Sequence, residues 1–374
     1  MPLNWVEIDL SALRHNYSRA RERAVAGSTV LGVVKSDAYG HGMIPVAREL
    51  EKCGAGFFAV SKFWEALELR RNGMELPVLV LMGLEPEDSA EAVRLGIRPA
   101  LCRLDHARAL SEAACALNMK ARVHIKVDTG MGRLGVSTGD LGAFAQKLQS
   151  LPGIVLEGLI SHLAEADEPD KSYCDYQIKQ FTEAIQGAAR LGITFPYCHI
   201  SNSAAVMDLP QAHFHMVRPG IMLYGSSPSG GPIDSLDLRP VMTFKSKILQ
   251  VKQVPAGQSI GYGRTFIARM PTRIATIGAG YDDGYFRSLS NRGQVLIRGK
   301  RAPVVGRVSM NLITADVTGI PEAAEDDEVV LLGSQGGERI TAEEIAGLCG
   351  TISYEVYCAI GKQQRFKFFF NASE

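Results

Sequence analysis

The sequence has no long uninterrupted apolar stretch, so a membrane-spanning helix is not expected. It has no excess of either charge, because Lys plus Arg and Asp plus Glu both number 40, which argues against general binding to nucleic acid or anionic membranes. The start, MPLNWVEIDL, lacks the basic segment and apolar core of a secretory signal. The seven cysteines are scattered without a CxxC pair, so neither a disulfide framework nor a zinc site is expected. These absences predict a cytoplasmic protein without nucleic-acid, membrane or metal partners.

The length and the apolar runs indicate the fold. A chain of 374 residues is usually too long for one hydrophobic core, so two domains are expected. From about residue 30 to 225, helical patterns such as FWEALELRRNG separate eight short runs that are typical of strands: VLGVVK, GFFAVS, PVLVLMG, IRPAL, RVHIKVD, LEGLISHL, YCHISNS and HMVRPGIMLYG. Strands that alternate with helices in this way predict an α/β fold, here a parallel (β/α)8 barrel of the TIM type.

The pattern changes after the Ser/Gly/Pro-rich segment LYGSSPSGGPIDS, which is typical of a linker. Short strands without intervening helices follow, and they predict a mainly antiparallel β domain. One helix is expected at TAEEIAGLCG, where Thr341 and Glu344 have the spacing of a capping box and Gly350 supplies a stop. The predicted domains are therefore residues 1–232 and 233–374, with the first few residues open to either domain.

In such a barrel, the residues at the carboxyl ends of the strands form the active site. Here these positions carry a lysine, an imidazole, two guanidiniums and neutral donors, namely Lys35, His162, Arg133, Arg218, Asn202 and Ser203. This set suits an anionic, phosphate-bearing ligand and carbonyl chemistry. No spacing of Asp, Glu and His typical of a metal site appears among them.

The segment VVKSDAYGHG around Lys35 resembles the pyridoxal-phosphate lysine motif of the alanine racemase family. Eight further segments resemble that family in the same order along both halves of the chain: VDTGMGRLG, SHLAEADE, NSAA, VRPGIMLYG, GYGRTF, GYDDGY, GRVSMN and YEV. The resemblance implies a pyridoxal 5'-phosphate-dependent homodimeric isomerase that acts on an amino acid. Its expected activity is the interconversion of L-alanine and D-alanine, which supplies D-alanine for bacterial peptidoglycan.

The resemblance also implies the roles of four residues. Lys35 matches the lysine that forms a Schiff base with the cofactor aldehyde, and Tyr262 matches an acid/base that the other subunit contributes. Racemisation needs one base on each face of the α-carbon, and these two side chains supply them. His162 matches the hydrogen-bond partner of that tyrosine. Arg218 matches the residue bonded to this imidazole and to the pyridine nitrogen, which a guanidinium leaves unprotonated.

The remaining site residues are also implied by the resemblance. Those expected to bind the cofactor, mainly its phosphate, are Tyr39, Asn202, Ser203, Gly220, Ile221 and Tyr354. Those expected to bind the substrate are Arg133 and Met310. Those expected to support the site or narrow its entrance are Lys126, Asp167 and Tyr281, and Lys126 matches a lysine that is carbamylated in many relatives. One departure is Ser309-Met310-Asn311, where relatives often have Cys-Met-Asp, so a charge at the inner entrance is lost.

Other interpretations remain open. From position alone, Lys35 is an ordinary strand-end lysine, Tyr262 an aromatic packed at a domain edge and His162 a core histidine. A non-catalytic barrel that only binds pyridoxal phosphate would end near residue 230 and would lack a counterpart of Tyr262. Basic amino-acid decarboxylases share the two-domain plan but place an acid where this chain has Arg218. A serine racemase or a racemase of broad specificity is the closest alternative, because it could use the same catalytic pair.

Overall fold

The computed structural model describes residues 2–231 and 237–371. Close contacts divide the chain into two units. The first unit contains the chain up to Leu13, residues 39–42 and the chain from Tyr224 onward, and the second contains residues 14–38 and 43–223. The predicted domain boundary between residues 232 and 233 lies outside the described residues.

The strands, in chain order, are β1 (Asn4–Asp9), β2 (Thr29–Val33), β3 (Phe57–Val60), β4 (Val78–Val80), β5 (Arg98–Leu101), β6 (Ala121–Asp128), β7 (Val136–Ser137), β8 (Ile154–Ile160), β9 (Tyr197–His199), β10 (Met216–Val217), β11 (Met242–Val254), β12 (Ser259–Ile260), β13 (Phe266–Ile267), β14 (Thr272–Ile277), β15 (Gln294–Ile297), β16 (Lys300–Pro303), β17 (Ile313–Asp316), β18 (Glu328–Gln335), β19 (Glu338–Ile340) and β20 (Lys367–Phe370). The helices are α1 (Leu10–Arg23), α2 (Lys35–Tyr39), α3 (Met43–Lys52), α4 (Phe63–Arg71), α5 (Ser89–Arg94), α6 (Leu104–Ala116), α7 (Leu141–Gln149), α8 (Ser172–Arg190), α9 (Ser203–Asp208), α10 (Ala342–Cys349) and α11 (Ser353–Gln363).

The second unit is the predicted barrel. Its eight main strands pair in parallel in the order β10-β2-β3-β4-β5-β6-β8-β9. Two backbone hydrogen bonds join the ends of this order, from His215 N–H to the Cys198 carbonyl (3.1 Å) and from Arg218 N–H to the Ser201 carbonyl (3.3 Å). All residues of β3 and β4 are buried, as expected for parallel strands that helices cover on their outer side. The prediction of a (β/α)8 barrel is confirmed.

The first unit is mainly antiparallel sheet, and the predicted C-terminal β domain is confirmed. Six of its strands follow the order β16-β15-β18-β11-β1-β20. The amino-terminal strand β1 lies between β11, to which it is antiparallel, and β20, to which it is parallel. A small separate hairpin is formed by β12 and β13, and Tyr262 lies in the loop between these two strands.

Two consecutive helices, α10 and α11, lie in this unit, and the local sequence predicted the first of them. The predicted helix is α10: the Thr341 hydroxyl accepts from Glu344 N–H at 3.1 Å, and Gly350 ends the helix with φ of 69°. Such a cap contributes about 1 kcal/mol. A second helix, α11, follows directly and was not predicted. Its buried face contains Val356, Tyr357 and Ile360, a spacing that is helical in the sequence itself.

Within the described ranges, no helix has both the length and the apolar character needed to cross a membrane.

Candidate active site

Lys35 begins α2, the short segment after β2, which is a strained left-handed turn and not a right-handed α-helix. The next four residues, 36–39, all have left-handed backbone angles, with φ between 53° and 55°. This conformation costs about 1–2 kcal/mol for each residue with a side chain, so the surrounding structure must hold it. The Asp37 carboxylate accepts from Met43 N–H at 2.7 Å, which joins the turn to α3. Strain of this kind concentrates at functional sites, and here it fixes the backbone beside Lys35.

Glu65 holds the same turn from the other side. Its buried carboxylate accepts from three backbone N–H groups, those of Ser36 (2.6 Å), Ser61 (2.8 Å) and Lys62 (2.9 Å). It therefore joins the turn after β2 to the segment between β3 and α4. No sequence motif singled out Glu65, although a glutamate at the third position of a helix is a usual capping signal.

Arg218 is buried and makes hydrogen bonds in several directions. Its Nη2 donates to the carbonyls of Ser161 (2.8 Å) and Ile200 (3.0 Å) and to His162 Nδ1 (3.2 Å), and its Nη1 donates to His199 Nδ1 (2.9 Å). Burial lowers the pKa of the guanidinium to about 9, so it remains charged at neutral pH. Among the described residues, Nε–H and the second Nη1 hydrogen have no partner. Two donors of a buried cation are therefore available to a ligand.

Four basic side chains lie close enough to His162 to affect its protonation. The pKa of His162 lies well below its usual value, because burial and the positive charges of Arg218, Lys126, Arg133 and Lys35 all oppose protonation. The ring is therefore neutral at neutral pH, and the guanidinium can only donate to its Nδ1, so the ring hydrogen is on Nε2. The structure thus brings together five of the predicted site residues.

Lys126 is an amine of this group whose pKa is strongly perturbed. Its pKa falls to about 7, because the side chain is buried and because Arg218 and Arg133 are positive. A lysine in this state is largely neutral just above neutral pH, when its nitrogen is nucleophilic. The neutral amine is also the form of lysine that can be carbamylated.

Neutral hydrogen-bonding groups lie in the segments that follow β9 and β10. The Ser203 hydroxyl accepts from Gly220 N–H at 2.8 Å, which leaves its own hydrogen able to donate. Ile221 begins a 3-10 turn directly after Gly220. The Asn202 side-chain oxygen accepts from Ala205 N–H at 3.0 Å and caps α9. The oxygen of Asn202 thus has a structural role, and only its amide nitrogen remains for a ligand.

The other unit holds the remaining predicted residues, and three of them are exposed. The Tyr262 side chain is 71% exposed, and Tyr281 and Met310 are also exposed. Tyr281 N–H donates to the Ser309 carbonyl at 3.1 Å, so Tyr281 and Met310 lie on adjoining segments. A Cβ at Gly280 would come within 2.2 Å of the Met310 oxygen, so this close approach requires glycine. Tyr262 and Ser309 also line one open cavity of about 470 Å³.

Tyr39 and Tyr354 form a separate aromatic pair in this unit, with ring centroids 6.0 Å apart. Burial, with a smaller contribution from Tyr354, raises the pKa of Tyr39. Tyr39 therefore stays protonated and is able to donate a hydrogen bond. Of the predicted barrel residues, Arg133 and Asp167 lie exposed in loops, and Asp167 makes no hydrogen bond or ion pair within the part of the chain that the structure describes.

No group of three or more His, Cys, Asp or Glu side chains within residues 2–231 and 237–371 could hold a metal ion.

Comparisons with known proteins cover the whole chain. Residues 8–228 match the family model described as alanine racemase, N-terminal domain, and residues 241–368 match that of the C-terminal domain. A protein from Syntrophobacter fumaroxidans named alanine racemase is 64% identical over 371 residues, which are 99% of this chain and 98% of that protein.

Solved structures are similar over the same length. The alanine racemase of Streptomyces lavendulae, a D-cycloserine producer, has a TM-score of 0.94 and 35% identity, covering 100% of this chain and 98% of that one. That of Bacillus anthracis, solved with bound L-Ala-P, has a TM-score of 0.91 and 33% identity, covering 100% and 96%. Both units are thus similar to the corresponding parts of proteins named alanine racemase.

Proposed function

The chain belongs to the alanine racemase family, and from this membership we propose that it interconverts L-alanine and D-alanine with pyridoxal 5'-phosphate as its cofactor. The family resemblance read from the nine sequence segments is confirmed, and the family is pyridoxal-phosphate-dependent. We further propose that the protein acts in the cytoplasm and supplies D-alanine for peptidoglycan. Similarity over the full length of both units supports the reaction, and the cluster around His162 is the structural observation that supports the residue roles.

The donors of the barrel fit this cofactor. When bound, pyridoxal phosphate supplies an electron-withdrawing ring that makes the hydrogen on the substrate α-carbon acidic. Lys35 would hold the cofactor covalently, and the unpartnered N–H groups of Arg218 would face its ring nitrogen. Because a guanidinium does not give up its proton at neutral pH, Arg218 leaves that nitrogen unprotonated. The residues that would hold the phosphate are Tyr39, Asn202, Ser203, Gly220, Ile221 and Tyr354.

Two bases on opposite faces of the substrate would move the proton. Lys35 would act on one face, and Tyr262 of the other subunit of a homodimer on the opposite face. Support comes from the exposure of Tyr262, whose side chain does not pack into its own unit. His162 would assist, because its Nε2–H can donate to the phenolic oxygen of Tyr262 and stabilise it when it has lost its proton.

The remaining residues would bind the substrate and shape the entrance. The Arg133 guanidinium and the Met310 backbone N–H would bind the substrate carboxylate. Lys126 would orient Arg133, and an N-carboxylate on Lys126 would provide the anion to do so. Tyr281 and Asp167 would lie at the entrance. We also propose a functional domain boundary between residues 232 and 233. Residues 1–232 then form the barrel domain except for β1, which belongs with residues 233–374.

The test is turnover by the purified protein with pyridoxal phosphate and L-Ala, L-Ser or L-Lys, measured by chiral chromatography. The proposal expects racemisation of alanine to be the fastest of the three. Faster racemisation of serine or lysine would instead identify a racemase of different or broader specificity. Cofactor binding without turnover of any amino acid would identify a non-catalytic binding protein.

A further inference from the structure

A chain of buried polar side chains continues from Arg218 into the interior of the barrel. His199 Nδ1 accepts from Arg218 Nη1 at 2.9 Å, and His199 Nε2 lies 2.9 Å from His124 Nδ1. His124 Nε2 lies 3.3 Å from Glu157 Oε2. Both imidazoles are fully buried. Four residues from four strand segments therefore form one continuous line of hydrogen bonds.

The far end of the line is a carboxylate held by cations. Arg98, at the start of β5, donates from Nε to Glu157 Oε2 at 2.6 Å, and Arg122 lies 3.6 Å from the other oxygen. Within the described residues, Glu157 is the only carboxylate in the line, and no carboxylate contacts Arg218 directly. The buried guanidinium therefore reaches an anion only through two histidines.

The chemistry of the donors gives this line one direction. A guanidinium has donors only, so His199 Nδ1 must accept from Arg218, and the His199 hydrogen is on Nε2. That hydrogen can only point to His124 Nδ1, so the His124 hydrogen is also on Nε2 and points to Glu157. Burial and then the charge of Arg218 lower the pKa of His199, and burial lowers the pKa of His124 although Glu157 opposes this. The hydrogen bonds require each ring to be neutral, with one donor and one acceptor, because a charged His124 would turn a second donor toward the donor of His199.

Two local features of β8 make the line possible. Strands β6 and β8 pair Val123 with Leu156 and His124 with Gly158, so Glu157 is the extra residue of a β-bulge. A bulge redirects a side chain, and here Glu157 contacts His124. A Cβ on Gly158 would lie 2.3 Å from His124 Nδ1, so the ring occupies space that only glycine leaves open.

We propose that Glu157 is a positioning residue for Arg218. By accepting from His124, it fixes both imidazoles with Nδ1 as the acceptor, so Arg218 always meets an acceptor at His199 and keeps its remaining donors directed to the ligand. This inference rests on the proposed function, because there Arg218 faces the cofactor ring nitrogen.

Without the Glu157 acceptor, the present direction leaves the His124 Nε2–H without a partner in a buried site, so the reverse direction becomes competitive despite the donors of Arg218. His124 can then carry its hydrogen on Nδ1, and His199 Nε2 must accept it. His199 then carries its hydrogen on Nδ1, directly opposite Arg218 Nη1. Two donors face each other in a buried site, and the guanidinium must move.

The experiment records nitrogen NMR spectra of the holoenzyme with nitrogen-15-labelled histidine, which distinguish protonated from unprotonated ring nitrogens. In the wild type, His199 and His124 should both be neutral, with hydrogen on Nε2. In Glu157→Leu, hydrogen should appear on His199 Nδ1, and kcat for alanine should fall about 10-fold to 100-fold, as for other buried orienting partners, with KM little changed.

Glu157→Gln retains an oxygen acceptor and should restore both the histidine spectrum and most of the activity. Glu49→Leu is the matched control, because Glu49 and Glu157 are both 5% exposed and Glu49 pairs with Arg14 away from this line. The control should leave the spectrum and kcat unchanged.

The inference is overturned if wild-type His199 carries its hydrogen on Nδ1, or if Glu157→Gln behaves as Glu157→Leu. It is also overturned if Glu157→Leu folds with an unchanged histidine spectrum. If Glu157→Leu does not fold, the spectra of the wild type and of Glu157→Gln still decide whether the inference holds. A wild type that fails to racemise alanine would refute the proposed function, while its histidine spectrum would still decide the direction of the line.

Discussion

Arg218 in the barrel and Tyr262 in the other unit lie in opposite surroundings. Arg218 is buried and donates to two carbonyls and two imidazoles, whereas Tyr262 is 71% exposed and makes no hydrogen bond within the described part of the chain. Buried polar groups need fixed partners, so the barrel residues are positioned by their own unit. Exposed side chains such as Tyr262, Tyr281 and Met310 are held less firmly by their own unit. We therefore expect the second group to gain its fixed partners only from another molecule, as the proposed shared site requires.

The largest expected effect lies in the barrel. Lys35→Ala should reduce alanine racemisation by at least about 10⁴-fold, because it removes both the covalent attachment and one of the two bases. Borohydride reduction of the wild type followed by peptide mapping should place the pyridoxyl group on Lys35. Lys62→Ala is the control, because Lys62 also follows a barrel strand and is exposed. A pyridoxyl group on any other lysine would contradict the assignment.

A smaller effect is expected from Arg218→Glu, at roughly 10³-fold slower racemisation. The carboxyl group can keep the cofactor ring nitrogen protonated, which strengthens electron withdrawal. We expect the cofactor to stay bound, with a persistent long-wavelength absorbance and more transamination, measured as pyruvate. Arg218→Lys keeps a cation and should show no rise in transamination. An Arg218→Glu variant with the spectrum and products of the parent would show that the electronic argument is wrong.

Lys126 should show a moderate effect that depends on pH. Its pKa of about 7 means that the amine is largely neutral above that pH and takes a proton below it. Above pH 7, carbon-13-labelled bicarbonate should therefore give a carbamate NMR signal, which should weaken as the pH falls through 7. Lys126→Ala should lose the signal and about 10-fold in activity, whereas the exposed Lys147→Ala should keep both. A carbamate signal that survives in Lys126→Ala would point to another lysine.

The smallest effect tests the first unit away from its exposed residues. Thr341→Ala removes the cap of α10 and should lower the free energy of unfolding by about 1 kcal/mol. The value of kcat should not change, because Thr341 is not one of the predicted site residues and its hydroxyl bonds to Glu344 N–H within the cap. Denaturant unfolding measures the loss, and Thr341→Ser, which keeps an accepting hydroxyl, should restore most of it. A change in kcat without a change in the free energy of unfolding would contradict the distinction between the α10 cap and the exposed site residues of this unit.

The fold was largely predictable where the signal is local. Alternating apolar runs predicted all eight barrel strands, and Thr341 with Gly350 predicted the bounds of α10. The strand β1 was not predicted, because its partners β11 and β20 lie more than 200 residues away in the sequence. The helix α11 was missed although the spacing of its buried residues is helical. The YEV segment in this helix indicated the family but not the secondary structure.

The site residues also divide into those that the sequence pattern predicts and those that it does not. Position at strand ends predicted Lys35, His162 and Arg218, because a barrel gathers such residues on one face. The line from His199 to Glu157 could not be predicted, since it depends on a bulge in β8 that changes which way Glu157 points. Single-sequence patterns assume regular alternation, and a bulge breaks it.

The most direct test of the comparison is complementation between subunits. Lys35→Ala and Tyr262→Phe are each expected to be inactive, and their mixture is expected to regain activity if each site takes Lys35 from one subunit and Tyr262 from its partner. Random exchange makes about half of the dimers mixed, each with one intact site, so activity should return to roughly a quarter of wild type. Differently tagged chains verify that exchange has occurred. Exchange without recovered activity would mean that Lys35 and Tyr262 serve one site from the same chain, and would contradict the account.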